Sequence, residues 1–305
     1  MLGRWVPVVS LFLAMVLWAS SFVALKIAFS YYDPMVVIFG RMLIAAVCFV
    51  FFLKYLLRFT YHKGDWRFLL LMVICEPCLY FLFEAHALQN TSAAQAGMIT
   101  SLAPLLVGIG AFYFLRERLS RQAWFGFSLA VVGAIWLSLA GSQTDHAPNP
   151  LLGNFLELCA MVCATGYTLS LKHLSQRYST WFLTALQAFC GTIFFIPFLP
   201  FSGDAAVWSL SWKWEGIWAV LYLGILINIG AYGLYNLGVS KVKAAEASAY
   251  INLIPVFTLL MAYVVLHETF NLQQMFASAL VLGGVFFSQW KVPAKVKEND
   301  ASLVG

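Results

Sequence analysis

The chain has 305 residues, of which 62% are hydrophobic and only 10% charged, and its mean hydropathy is +0.83, whereas a soluble domain carries roughly 25% charged residues. That composition excludes a cytosolic enzyme, a nucleic-acid binder and a disordered tail protein. The net charge of +5 does not by itself call for an anionic partner, because in a membrane protein the placement of Lys and Arg matters more than their sum.

Arg4 precedes an apolar run from Val6 to Phe29, longer than the roughly 7 to 15 residues of a signal-peptide core, so it is read as a first span kept in the mature protein. Each crossing of a bilayer needs about 20 apolar residues. Further runs of that kind lie near 34–57, 67–88, 91–115, 122–140, 151–172, 181–200, 214–238, 244–266 and 271–290. Ten spans put both termini on one side. Lys54, Arg58, Lys63 and Arg67, then Arg116, Arg118 and Arg121, then Lys172 and Arg177, then Lys241 and Lys243 occupy every second turn, and Arg4, Lys291, Lys295 and Lys297 fall on the same side. Of the 18 Lys and Arg, 15 lie on that face, Lys213 lies on the other, and Lys26 and Arg41 lie within spans. The positive-inside rule makes the basic face cytoplasmic. All six cysteines, Cys48, Cys75, Cys78, Cys159, Cys163 and Cys190, sit in apolar runs. They read as small packing residues, with no disulfide framework and no metal or redox site.

Segments 90–139 and 241–290 align without a gap at an offset of 151, with 12 identities in 50 positions. Ala93, Ala94, Ala96, Pro104, Glu117 and Gly133 match Ala244, Ala245, Ala247, Pro255, Glu268 and Gly284. Each half then holds five spans, and an odd number inverts the second half relative to the first. Inverted repeats of this kind occur in alternating-access transporters, with cargo held between the halves. The expected organisation is a first repeat over 1–145, a second over 146–290 and a cytoplasmic tail over 291–305.

The run Trp18-Ala19-Ser20-Ser21-Phe22 with Lys26, then Arg41, Thr91-Ser92-Ala93-Ala94, Pro104-Leu105, Glu117-Arg118-Leu119 and Gly126, repeated more loosely at Pro255 and His267-Glu268-Thr269, resembles the drug/metabolite transporter superfamily. Its EamA branch of ten-span bacterial exporters is the nearest likeness. The resemblance implies an all-α bundle of ten transmembrane helices around a central cavity, and export of amino acids or related small metabolites. In the second half Cys163-Ala164-Thr165-Gly166-Tyr167 replaces the Trp run.

Ionisable groups inside spans face a bundle interior or a watery cavity when they occur. Glu76, Tyr80 and Glu84 share one face of the third span at i, i+4 and i+8. Glu76 has two readings, a ligand for a cationic group or coupling proton, and a local partner for the Val73 carbonyl that Pro77 leaves unbonded. Asn228, Tyr232 and Tyr235 form a second stripe in the eighth span, either lining the cavity or bonding neighbouring helices. Trp18 and Ser21 lie one turn apart on the first span, which the resemblance places at the cavity, and Trp18 has core packing as its alternative. Tyr250 follows Glu246 by one turn, with Glu246 read either as functional or as a helix cap. Glu157 and His86 are expected in the hydrated outer thirds of their spans, Lys26 and Arg41 are expected to snorkel from helix ends, and Glu117 and Glu268 are expected to stabilise the N-terminus of the helix that follows each.

No H-E-x-x-H, paired-Asp motif or nucleophile with a nearby base is present, so the chain is not read as an enzyme. The resulting expectation is a multi-pass protein of a bacterial inner membrane, without cofactor or metal, exporting zwitterionic metabolites with Glu76 as the proton-coupling candidate. An efflux carrier for cationic drugs or polyamine-like compounds is the alternative, and an integral membrane transferase a remote one. The protein's partners would be a small-molecule substrate and the lipid bilayer, with no nucleic acid, and a monomer suffices for this reading.

Overall fold

The structure is a computed structural model that describes residues 2–56, 60–115, 120–141, 143–144, 147–201, 213–242 and 244–289. Those residues are helical throughout apart from connections and an isolated bridge between Thr144 and Ala147. The helices are α1 (Leu2–Phe29), α2 (Pro34–Val50), α3 (Trp66–Asn90), α4 (93–115), α5 (Arg121–Leu139), α6 (Pro150–Leu174), α7 (Thr180–Phe195), α8 (Trp214–Lys241), α9 (244–266) and α10 (Leu272–Gln289). Eight of these are long and apolar enough to cross a bilayer, while α2 and α10 are shorter apolar helices. The expected second span stops early, giving way after Val50 to a turn and the short helix Leu53–Leu56.

Short polar side chains start the helices. Asp33 accepts a hydrogen bond from the Met35 N–H just ahead of Pro34, and Ser92, Ser120, Asn149 and Ser179 each accept one from the N–H three residues on. Each removes one of the unbonded donors that a helix N-terminus otherwise presents to lipid. Large apolar residues such as Phe125, Leu139, Ile193, Trp214 and Leu272 stay exposed on the outside, the inside-out pattern of a protein solvated by lipid.

Two kinds of irregularity recur at the 151-residue spacing. α4 breaks at Ser101–Leu102 and α9 narrows to a 3-10 turn over Tyr250–Asn252. α3 kinks within Ile74–Leu79, and at the corresponding position α8 carries a π-helical segment over Leu223–Ala231; π-helical segments often sit at functional sites. α1 packs on α8 and α9, α2 on α7 and α8, and α6 on α3 and α4. α5 lies along α10 so closely that a Cβ added at Gly126 would stand 2.5 Å from the Gly284 carbonyl oxygen, and one at Gly284 would stand 2.6 Å from the Ala130 nitrogen.

Candidate functional site

Between α1, α2, α3, α4, α6, α8 and α9 runs a narrow crevice with a cavity volume of about 40 Å³. Trp18 and Ser21 enter it from α1, Arg41 from α2, Glu76, Tyr80 and Glu84 from α3, and Tyr232 and Tyr235 from α8. The kink in α3 is what aims Glu76 inward. Its backbone is extended there (φ −149°, ψ 119°), and the carboxylate accepts a hydrogen bond from the Tyr232 hydroxyl across the bundle. The Glu76 carbonyl accepts from Gln187 of α7. Glu76 thus turns to α8 rather than to the carbonyl before Pro77.

Arg41 is the finding that sequence reading missed. It does not snorkel: it is 1% exposed and lines the crevice. Its Nε and Nη2 donate to Asn228 Oδ1 at 3.0 and 2.7 Å, while Asn228 Nδ2 donates back to the Arg41 carbonyl at 2.9 Å. The guanidinium also stacks over Phe81, 4.2 Å from the ring centroid. Its Nη1 has no hydrogen-bond partner and lies 3.8 Å from Glu84 Oε2, which also has none, although Glu84 Oε1 accepts from the Tyr80 hydroxyl at 3.1 Å. The two make a loose ion pair, in which each keeps one polar atom without a hydrogen bond.

Aromatic rings wall the space. Trp18 packs edge-on to Tyr232 at 5.1 Å and against Tyr235 at 4.7 Å, and its indole Nε1 is buried without a partner. Tyr167 donates to Asn236 Oδ1, Asn236 donates to Thr184 at 2.8 Å, and Tyr235 pairs with Thr168 at 3.1 Å. These bonds brace the tyrosines, which keep their faces toward the crevice.

Seven of the nine expected residues, Trp18, Ser21, Glu76, Tyr80, Glu84, Tyr232 and Tyr235, converge here. Asn228 does not line the crevice, because its amide is spent on Arg41. Tyr250 lies outside it as well, since the 3-10 turn presents Ile251 and Ile254 instead. Glu157 is not hydrated but 0% exposed. Glu268 does act at a helix start, but at that of α4 rather than α10: its two oxygens accept from Ala93 N at 3.0 Å and Ala94 N at 2.9 Å. Glu117 falls outside the described residues. The signal that could have found Arg41 and Glu157 is their position, since each lies about two turns inside its helix, too deep for an end residue. Tyr167 and Thr168 carried no such signal.

At the other end of α3, Asp65 accepts from Arg177 Nη1 at 2.7 Å. Burial works against its charge, but the bond and charge of Arg177, with Tyr178 and His173, outweigh it and hold the carboxyl below its usual range.

An all-helical, lipid-facing bundle around a polar, charged crevice defines a multi-pass membrane transporter. Residues 5–139 and again 151–290 match the EamA-like transporter family, and the chain belongs to that family. It is 30% identical over 274 residues to the uncharacterized transporter YetK of Bacillus subtilis, covering 86% of this chain and 78% of that one. A probable terminal-alkyne amino-acid exporter of Streptantibioticus cattleyicolor is 24% identical over 277 residues, 90% of this chain and 91% of that one. One solved crystal structure shares the fold at a TM-score of 0.64 and 19% identity, covering 93% of this chain and 96% of that one.

Proposed function

We propose that this protein exports small zwitterionic metabolites, amino acids or close relatives, from a bacterial cytoplasm by alternating access of two inverted five-helix halves. The observation that carries the reading is the unbonded pair in the crevice, Arg41 Nη1 facing Glu84 Oε2 at 3.8 Å. An amino acid complements that pair in charge, displacing the loose contact to put its carboxylate on Arg41 and its ammonium on Glu84 or Glu76. A charged partner is the usual answer to a buried orphan charge. Trp18, Tyr80, Tyr232 and Tyr235 supply the walls for the apolar part of the cargo, and Ser21 a further polar contact. A carrier for cations alone is disfavoured, because a fixed guanidinium in the binding space repels them.

The halves are taken as 1–145 and 146–290, with 291–305 a cytoplasmic tail. The 151-residue spacing, the helix irregularities at matching positions and the two separate family matches support that division. The Lys and Arg distribution supports an inner-membrane protein with both termini in the cytoplasm. The protein works as a carrier rather than an enzyme, as a monomer in the bilayer, with no nucleic acid involved.

Counterflow in liposomes of the purified chain tests the proposal, with a panel of labelled amino acids set against labelled organic cations. Exchange of one or more amino acids is expected, with Arg41→Gln weakening apparent affinity about 10 to 100-fold, the loss of one charged hydrogen bond of about 1.5–3 kcal/mol. Exchange of cations only, indifferent to Arg41→Gln, would sink it.

A further inference from the structure

Asn154 and Glu157 lie one turn apart on α6, which packs against α3, α4, α5, α8 and α9. Asn154 is fully bonded: Oδ1 accepts from Thr91 at 2.7 Å, and Nδ2 donates to Gln95 at 2.9 Å and Ser138 at 3.1 Å. Glu157 is the opposite case. It is 0% exposed and neither carboxyl oxygen has a partner. It stands outside the crevice, although Met161, one turn on, lines it.

The charged group acting on Glu157 is Glu84 of α3. Tyr80 and Glu76 follow on α3, Tyr232 and Tyr235 face inward from α8, and Arg41 of α2 stands beyond Glu84. Tyr113 of α4, Arg121 of α5, Glu246 of α9, and His86, Arg67, Glu215 and Lys241 of α3 and α8 are exposed. Among the described residues no cation pairs with Glu157. An ionised carboxylate buried without a partner costs several kcal/mol, and two neighbouring acids do not both ionise. Glu84 has Arg41 as its counter-charge, whereas Glu157 has none.

We propose that Glu157 is a proton-binding site separate from the cargo crevice, and that Glu84 links the two. When a cargo ammonium engages Glu84, its positive charge favours loss of the Glu157 proton to water, so cargo and proton exclude one another and cross in opposite directions. The polar cluster of Asn154, Gln95, Thr91 and Ser138 begins one turn from Glu157 on the same helix. This rests on reading the crevice as the cargo site and moves the coupling proton away from Glu76.

Infrared difference spectra of the purified full chain, parent minus Glu157→Gln at about pH 7, are expected to show the carbonyl band of a carboxylic acid free of hydrogen bonds. Glu157→Met, of similar volume, replaces the amide variant if that does not fold. Identical spectra in that region overturn the proposal. In liposomes preloaded with labelled leucine, or whichever amino acid the parent exchanges, an acidic exterior is expected to accelerate efflux in the parent and not in Glu157→Gln, while exchange without a gradient persists in both. Gradient-driven efflux at the parent rate in the variant also overturns it. If the parent carries no amino acid, the crevice reading fails, and the infrared band alone decides whether Glu157 holds a proton.

Discussion

Replacing Asn228 separates the support of Arg41 from its charge. Asn228→Leu fills nearly the same volume but removes the acceptor of two guanidinium bonds and the donor to the Arg41 carbonyl. Side-chain hydrogen bonds in helical membrane proteins average about 0.6 kcal/mol and reach about 1.7, and three near 1 kcal/mol amount to about 3 kcal/mol. Leaving a buried cation without its partner reaches about 3–5 kcal/mol, so a loss of about 3 kcal/mol is the expected value. Asn228→Asp keeps an acceptor for both guanidinium nitrogens and gives up the bond to the carbonyl, so its stability should stay within about 1 kcal/mol of the parent. Its carboxylate, however, neutralises Arg41 in place, and apparent affinity for a carboxylate cargo should fall at least about tenfold, about 1.4 kcal/mol. Reversible denaturant unfolding in detergent reads the first effect and liposome counterflow the second. Leucine as stable as asparagine, or aspartate with undiminished affinity, would refute the assignment of Asn228 as the residue that positions Arg41.

Glu268→Gln should lower the thermal midpoint in detergent by the equivalent of at least about 1 kcal/mol, since the amide NH2 cannot accept from an N–H, so one of the two bonds to the α4 N-terminus is lost and the other becomes neutral, and cargo affinity should stay the same. Gly284→Val should destabilise more, by at least about 1–3 kcal/mol of overpacking, because α5 backbone atoms occupy the space; a midpoint equal to the parent's would contradict the close α5–α10 approach. The Asp65–Arg177 bond gives a pH signature. Because the folded state holds the Asp65 carboxyl below its usual value of 3.8, its contribution is complete above about pH 5 and fades as the pH falls through the folded value. Asp65→Asn should therefore narrow the stability gap between about pH 5 and pH 3 relative to the parent, in thermal scans at each pH.

Apart from the early end of the second, hydropathy alone located the helices within a few residues, because lipid forces every backbone polar group into helical bonds and so ties each span to an apolar run. The stripe Glu76, Tyr80 and Glu84 was legible for a related reason, as helical periodicity puts i, i+4 and i+8 on one face. Which way a face points is a different matter. Arg41, read from sequence as an end residue, is drawn inside because Asn228, 187 positions later, supplies its acceptor. Tyr250 and Asn228 drop out of the crevice because a 3-10 turn and that same pairing redirect them. Glu268 caps a helix in the other half of the chain rather than its own neighbour, since the free N–H groups of Ala93 and Ala94 come to it in space. Local sequence therefore determined the spans, their caps and the polar stripes, all properties of a single helix. The tertiary structure decided which charges meet across the crevice and which, like Glu157, are left without a partner, because those depend on the packing of helices far apart in the chain.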